Sequence, residues 1–295
     1  MEKVNWQGSL TALVTPFKGG KLDEKALEKL LEHQLSSRAD GIVPCATTGE
    51  SPTVRPEEWA YIMKAVVSKC RGKALVLAYT GSNDTEETKR RTAEAEKLGV
   101  DGALIVTPYY NKPTQEGLYQ HFKAVAGATE LPIMLYNVPS RTGVSIEPRT
   151  VARLAELDNI VAIKEASGSL DQVSQIIKLC GERLTVFSGD DSLTLPMLAV
   201  GAKGVVSVVA NIAPHDTAEM VRLFLHGDVE GARRIHLKQF SLVKALFCET
   251  SPGPVKYALS LMGLCSPEMR LPLAPVSLST EKLVAEELRA YGLIG

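Results

Sequence analysis

The sequence predicts an α/β fold, a (β/α)8 TIM barrel with a C-terminal helical extension. Three observations predict it. Short apolar runs recur along most of the chain, amphipathic helical segments separate them, and polar residues gather where the runs end. The expected division is a catalytic barrel over residues 1–225 and a helical extension over residues 226–295. The competing arrangement is an open doubly wound sheet. It would carry a glycine-rich phosphate loop after its first strand, and no such loop stands there.

The apolar runs occupy residues 10–14, 41–45, 74–78, 103–106, 132–136, 160–163, 184–187 and 204–209. Each is rich in Val, Ile and Leu without polar alternation, which predicts strands buried on both faces, as in a parallel sheet. Between them the period changes to that of a helix. Leu27, Leu30, Leu31 and Leu35 form one stripe, and Trp59, Ile62, Met63, Val66, Val67 and Cys70 form the next. The segment after Asp84 has few large apolar residues, but Gly99 supplies its stop. A third stripe is Val173, Ile176, Ile177 and Cys180, with Ser169 and Gln172 spaced as a capping box and Gly181 placed as the C-terminal glycine. Beyond the eighth unit the pattern is helical over 228–247, 254–262 and 279–291.

Composition excludes several classes of function. The chain has 295 residues, 45% hydrophobic and 23% charged, the balance of a soluble globular protein. Lys plus Arg is 33 and Asp plus Glu is 34, so no basic field points to nucleic acid. A few local charges still suffice for a small anionic substrate. The five cysteines are widely spaced with no C-x-x-C, so reduced thiols buried as small apolar groups are expected. No apolar run nears the ~18 residues of a membrane span, and the N-terminus lacks a signal pattern. No membrane association and a cytoplasmic location are therefore expected.

In a barrel, chemistry sits at the C-terminal ends of the strands. The residues closing the runs are Thr15-Pro16-Phe17, Ala46-Thr47-Thr48-Gly49-Glu50-Ser51, Thr107-Pro108-Tyr109-Tyr110-Asn111, Tyr136-Asn137-Val138-Pro139-Ser140-Arg141-Thr142-Gly143, Lys164-Glu165-Ala166-Ser167 and Ser188-Gly189-Asp190-Asp191. Lys164 is the sharpest of them. Alternation puts Ile160, Ala162 and Lys164 on one face of the sixth run. Burial disfavours a charged amine and frees it as a nucleophile that attacks a ketone to give an imine. The pattern equally allows a lysine that reaches water or pairs with Glu165. Arg141, in a Pro/Gly-framed loop, suits a carboxylate held through two parallel bonds or an ordinary surface ion pair. Tyr110, Tyr136 and Thr47 suit a chain of hydroxyls that relays protons, or rim packing and a capped turn. The histidines His33, His121, His215, His226 and His236 show no metal-ligand spacing, so no metal is expected. Asp190-Asp191 reads as a helix cap before it reads as a cation site.

The segments Ala46-Thr47-Thr48-Gly49-Glu50-Ser51, Val106-Thr107-Pro108-Tyr109-Tyr110-Asn111-Lys112-Pro113, Tyr136-Asn137-Val138-Pro139-Ser140-Arg141-Thr142-Gly143 and Ile163-Lys164-Glu165-Ala166 resemble the dihydrodipicolinate synthase / N-acetylneuraminate lyase family. The resemblance runs from Gly8-Ser9 to Pro254-Val255-Lys256. It implies a lyase in which Lys164 forms a Schiff base with pyruvate, Thr47, Tyr110 and Tyr136 relay protons, and Tyr110 comes from a neighbouring subunit. It places Arg141 on the carboxylate of the incoming aldehyde and lets Thr48, Gly189 and Val206 line the pyruvate site. The Thr-Thr pair and the Pro-Ser-Arg-Thr-Gly loop are similar to the branch that condenses pyruvate with L-aspartate 4-semialdehyde for lysine and diaminopimelate synthesis. The sister branch of sugar-acid lyases is the alternative. The resemblance implies no cofactor and a homotetramer built as a dimer of dimers.

The chain departs from the family pattern at Ala46, where glycine is usual, and at Ser251-Pro252-Gly253-Pro254, where Asn-Pro is usual. Ser51, Asn83, Glu87 and Tyr109 resemble the family's allosteric lysine site, but Pro56 and Trp59 replace polar positions there. Weak or absent lysine inhibition is the expectation.

Overall fold

The computed structural model describes residues 6–295. Eight parallel strands hydrogen-bond side by side in chain order and close on themselves, the TIM barrel that the sequence predicts. They are β1 (Gly8–Ala12), β4 (Gly41–Val43), β5 (Leu75–Tyr79), β6 (Gly102–Val106), β7 (Ile133–Asn137), β8 (Ile160–Glu165), β9 (Thr185–Ser188) and β10 (Gly204–Ser207). Each overlaps one of the eight apolar runs. The residues of all eight are buried almost throughout, as expected for strands covered on both sides.

By contacts the described chain divides into two units, one of residues 6–8 with Val76–Val206 and one of Ser9–Leu75 with Ser207–Gly295. The first holds the ladder from β5 to β10 and the helices α3 (Thr85–Leu98), α4 (Gln115–Ala126), α5 (Pro139–Thr142), α6 (Pro148–Leu154), α7 (Leu170–Cys180) and α8 (Thr194–Ala199). Its core joins alternate strand residues Ala103, Ile105, Ile133 and Leu135 to Phe122 and Val125 of α4 and Val173 and Ile176 of α7. Ile160 and Ile163 belong to the same cluster. This corrects the simple alternation expected for the sixth run. The register slips between Ile133 and Met134, so that Ile133 faces Ile160 but Met134 faces Ala162. The bulge sends Ile160 to the helix-packed side and leaves Ala162 and Lys164 in step with Met134 and Tyr136.

The capping box at α7 also differs from expectation. Ser169 accepts from the Gln172 amide at 3.2 Å, as predicted. The Gln172 side chain does not return a bond to the Ser169 amide, because that amide already donates to Ser167 Oγ at 3.3 Å, and the Gln172 side-chain amide donates to the buried carboxylate at Glu165 Oε2 at 3.1 Å. Gly99 ends α3 in the left-handed conformation, as the sequence predicts.

The second unit holds β1, β4, α1 (Glu24–Ser36), α2 (Pro56–Cys70), α9 (Pro214–Leu225), α10 (Val229–Leu246), α11 (Gly253–Leu261) and α12 (Leu278–Tyr291). The stripe on α1 is buried at Leu27, Leu30 and Leu31, and that on α2 at Ile62, Met63, Val66, Val67 and Cys70; Trp59 is only half-buried. The unit also contains a hairpin the sequence reading missed, β2 (Phe17–Lys18) with β3 (Lys21–Leu22). Two-residue strands carry no readable period. The signal present was Gly19-Gly20, both at positive φ, which suits a tight turn. None of the five cysteines forms a disulfide. Cys45, Cys70 and Cys180 are buried as expected, whereas Cys248 is exposed and Cys265 half-buried, because both follow helix ends where the chain leaves the core.

His121 on α4 gives the fold a pH dependence. It is 5% exposed, its Nδ1 meets Thr85 Oγ1 at 3.0 Å, and burial pulls its pKa from 6.5 to about 4. Between those values the unfolded chain binds a proton that the folded chain refuses, so stability rises with pH across the window and is lost as pH falls through it. The loss is expected to reach about 3 kcal/mol at pH 4. Denaturant melts of wild type and His121→Asn between pH 7 and 4 check this, and equal pH slopes in the two would refute it.

Candidate active site

In the first unit the site is built on two adjacent strand ends. Tyr136 and Lys164 are the penultimate residues of β7 and β8, directly opposite each other in register. Both side chains are buried, and the Lys164 Nζ sits 4.2 Å from the centre of the Tyr136 ring. An amine in that place meets an aromatic face in a dry setting, which favours a cation–π contact when charged and leaves a nucleophile when neutral.

Glu165 does not take the Lys164 amine. It is buried, and both of its oxygens are occupied: Oε1 accepts from Asn137 Nδ2 at 3.1 Å and from the Ser167 amide at 2.7 Å, and Oε2 from Asn137 Nδ2 at 3.0 Å and Gln172 Nε2 at 3.1 Å. Asn137 Oδ1 in turn accepts from the Ile146 amide at 3.1 Å. This network fixes the last residues of β7 and β8, and so the backbone that carries Lys164 and Tyr136. The sequence alone allows a Lys164–Glu165 ion pair, and the capture of Glu165 by Asn137, Ser167 and Gln172 replaces it.

Gly189 follows β9 and forms a wall against the lysine. A Cβ added there would lie 3.1 Å from both Cγ and Cε of Lys164 and 2.7 Å from Ala166 Cβ. Only a residue without Cβ lets the two strand ends approach so closely. Val206 is buried on β10 of the same unit. Asp190 is a cap, as predicted: its Oδ1 accepts from the amide of Ser192 at 2.9 Å and its hydroxyl at 2.8 Å. Among the described residues no group of acidic, cysteine and histidine side chains is arranged to hold a metal.

Two more predicted residues of this unit stand apart from the buried pair. Tyr110 is 87% exposed, with φ at 71°, in the loop after β6. A tyrosine held in the left-handed region and turned out to solvent is costly unless something uses it. Arg141 is exposed on the one-turn helix α5, which Gly143 ends in the left-handed conformation. Tyr79 was missed. It closes β5 and is buried, and its phenol is pushed well up from the ordinary range by burial first and by Tyr109 and Tyr136 next. Its place at a strand end was the available signal.

Of the predicted effector residues in this unit, Asn83 accepts at its carbonyl from Asn111 Nδ2 at 2.9 Å. Glu87 is held by Arg90 Nε at 2.8 Å and Arg91 Nε at 2.7 Å, which lower its pKa to about 2.

The second unit carries Thr47, Thr48 and Ser51 on the turn after β4. Thr48 is buried and Thr47 half-buried. The Glu50 amide donates to the Thr47 carbonyl at 3.1 Å and the Ser51 amide to the Ala46 carbonyl at 3.2 Å. Gly49 is required, since a Cβ there would lie 2.8 Å from the Cys45 backbone. Sequence reading gave no role to the partners of this turn. The fully buried Lys256 donates to Glu50 Oε1 at 2.6 Å and to the Thr15 carbonyl at 2.9 Å. Burial pushes the Lys256 pKa down, and Glu50 opposes the shift.

A family model described as the dihydrodipicolinate synthetase family matches residues 5–291. The 4-hydroxy-tetrahydrodipicolinate synthase of Geotalea uraniireducens is 54% identical over 289 residues, 98% of this chain and all of the relative. A solved dihydrodipicolinate synthase from Acinetobacter baumannii, complexed with pyruvate, is 43% identical with a TM-score of 0.96, covering 98% of this chain and 99% of that one. A monomeric dihydrodipicolinate synthase variant is 44% identical with a TM-score of 0.96, covering 98% of each chain.

Proposed function

The chain belongs to the dihydrodipicolinate synthetase family, and from that premise we propose that it condenses pyruvate with L-aspartate 4-semialdehyde to give 4-hydroxy-tetrahydrodipicolinate, a step of lysine and diaminopimelate biosynthesis. The observation that carries the reading is the buried Lys164 amine against the Tyr136 ring, walled by Gly189. No support for the sugar-acid alternative comes from the relatives.

The reaction assigned to these residues needs no cofactor. The Lys164 amine adds to the ketone carbon of pyruvate and water leaves, giving an iminium. Its positive nitrogen draws electrons from the methyl carbon, which loses a proton to form an enamine. The enamine carbon attacks the aldehyde of the semialdehyde, whose oxygen takes up a proton. The amine of the bound product then displaces Lys164 as the ring closes, and the free lysine returns. Tyr136, Thr47 and Tyr110 are assigned the proton transfers, Arg141 the semialdehyde carboxylate, and Thr48, Gly189 and Val206 the pyruvate pocket. The exposed, left-handed Tyr110 supports a homo-oligomer in which that residue serves a neighbour, with a dimer of dimers as the proposed assembly. Among the described residues no helix is long and apolar enough to cross a membrane, and a cytoplasmic site of action is part of the proposal.

The test is an assay with both substrates, coupled to the reductase that consumes the product, together with borohydride trapping of pyruvate on Lys164. Trapping without turnover would move the assignment to a sister lyase. The absence of both would end it.

Ser51, Asn83, Glu87 and Tyr109 are proposed as an effector site of low lysine affinity. Besides Pro56 and Trp59, the engagement of Glu87 by Arg90 and Arg91 supports this, because an incoming ammonium must compete with two guanidinium groups. Initial-rate curves are expected to show little inhibition by lysine at micromolar concentration, and clear inhibition in that range would refute the proposal.

A further inference from the structure

Glu50 stands three residues beyond Thr47 and holds a left-handed backbone, φ 55° and ψ 40°. A side chain with a Cβ adopts that conformation only where its surroundings enforce it. Here they do so at both ends of the residue. The amide closes onto Thr47, and the carbonyl accepts from the Thr53 amide at 2.9 Å and the Thr53 hydroxyl at 3.1 Å. The carboxylate, in a residue 2% exposed, accepts from Lys256 Nζ at 2.6 Å on α11 and from the Arg270 amide at 3.0 Å. Lys256 reaches past it to the Thr15 carbonyl, and the Thr15 hydroxyl donates to the Gly49 carbonyl at 2.6 Å. Arg270 is anchored in turn: its guanidinium donates to Glu58 Oε2 at 2.6 Å and to the Thr53 carbonyl at 2.7 Å. Thr47, Gly49 and Thr53 of the turn are thus each tied to Glu50 itself or to a group that its carboxylate and Lys256 hold.

We propose that Glu50 is a positioning residue for the reaction: clamped by Lys256 and the Arg270 backbone, it holds the turn that presents Thr47 and Thr48. The proposal rests on the reading of Lys164 and Thr47 given above. It makes the C-terminal extension a working part of the active site rather than an appendage. An ion pair buried this deeply is weak evidence for stability alone, since apolar side chains of equal volume serve stability as well. Its value lies in fixing one geometry.

The experiment compares wild type, Glu50→Gln, Thr47→Val and the double variant, each with its borohydride-trapped pyruvate counted per subunit and its circular dichroism and molar mass recorded. Glu50→Gln is expected to keep its fold and trap pyruvate, yet to lose about 10- to 100-fold in kcat per trapped subunit, the effect of a displaced catalytic group. In the Thr47→Val background the same change is expected to cost less than about twofold, because the group it positions is already gone. Full kcat per trapped subunit in Glu50→Gln, or losses that simply multiply, would overturn the proposal. Where the single variant leaves Lys256 uncompensated and does not fold, Glu50→Gln/Lys256→Met removes both charges and is judged by the same two criteria. A wild type that neither traps pyruvate nor turns over overturns the Lys164 reading, and the clamp with it.

Discussion

Lys164→Ala is expected to lose synthase turnover by about 10³-fold or more, at least about 4 kcal/mol of transition-state stabilisation, and to lose borohydride trapping of pyruvate completely. The size follows from the chemistry. The imine is the only electron sink assigned to the reaction, and no neighbouring amine stands in the Lys164–Tyr136 register to replace it. The variant should still fold. Removing a buried amine relieves its desolvation, and the network that shapes the strand ends runs through Glu165, Asn137 and Gln172 rather than through Lys164. Coupled assay, trapping followed by mass spectrometry and a thermal melt separate these effects. Residual trapping in Lys164→Ala would assign the imine to another lysine.

Gly189→Ala carries the second large effect. The added methyl meets Ala166 Cβ at 2.7 Å and two carbons of Lys164 at 3.1 Å. Ala166 has no rotamer to yield with, so the lysine or the β9 end must move. Stability should fall by about 1–3 kcal/mol, the usual consequence of overpacking. Activity should fall further than stability suggests, by about 10²-fold in kcat/KM, because a shift of the reacting amine by about 1 Å is enough to cost that much. The ratio of the two losses is the diagnostic quantity. Equal turnover per folded molecule in Gly189→Ala and wild type would show that the glycine serves packing alone.

The barrel was legible because its strands are buried on both faces. Such strands read as short runs rich in Val, Ile and Leu, and their boundaries then place Lys164 and Tyr136 at strand ends and Thr47 on the turn that follows one, without any three-dimensional information. The chemistry of Lys164 was less legible from pattern than from resemblance. A strand-end lysine beside a glutamate reads equally well as an ion pair, and only the capture of Glu165 by Asn137 and Gln172 removes that option.

By itself, then, the sequence determined the alternation of strands and helices, the stripes that face the core, the glycine stops and the order of the motif-bearing loops. Each depends on neighbours within about one turn or one strand, the range over which periodicity and capping act. The tertiary structure decided what lies beyond that range. The bulge that moves Ile160 off the face of Lys164 is a matter of register between two strands. The diversion of Gln172 depends on where a buried carboxylate lies. The pairing of Glu50 with Lys256 joins residues 206 positions apart. No local period encodes such a partner, because a buried charge takes whichever opposite charge the fold carries to it.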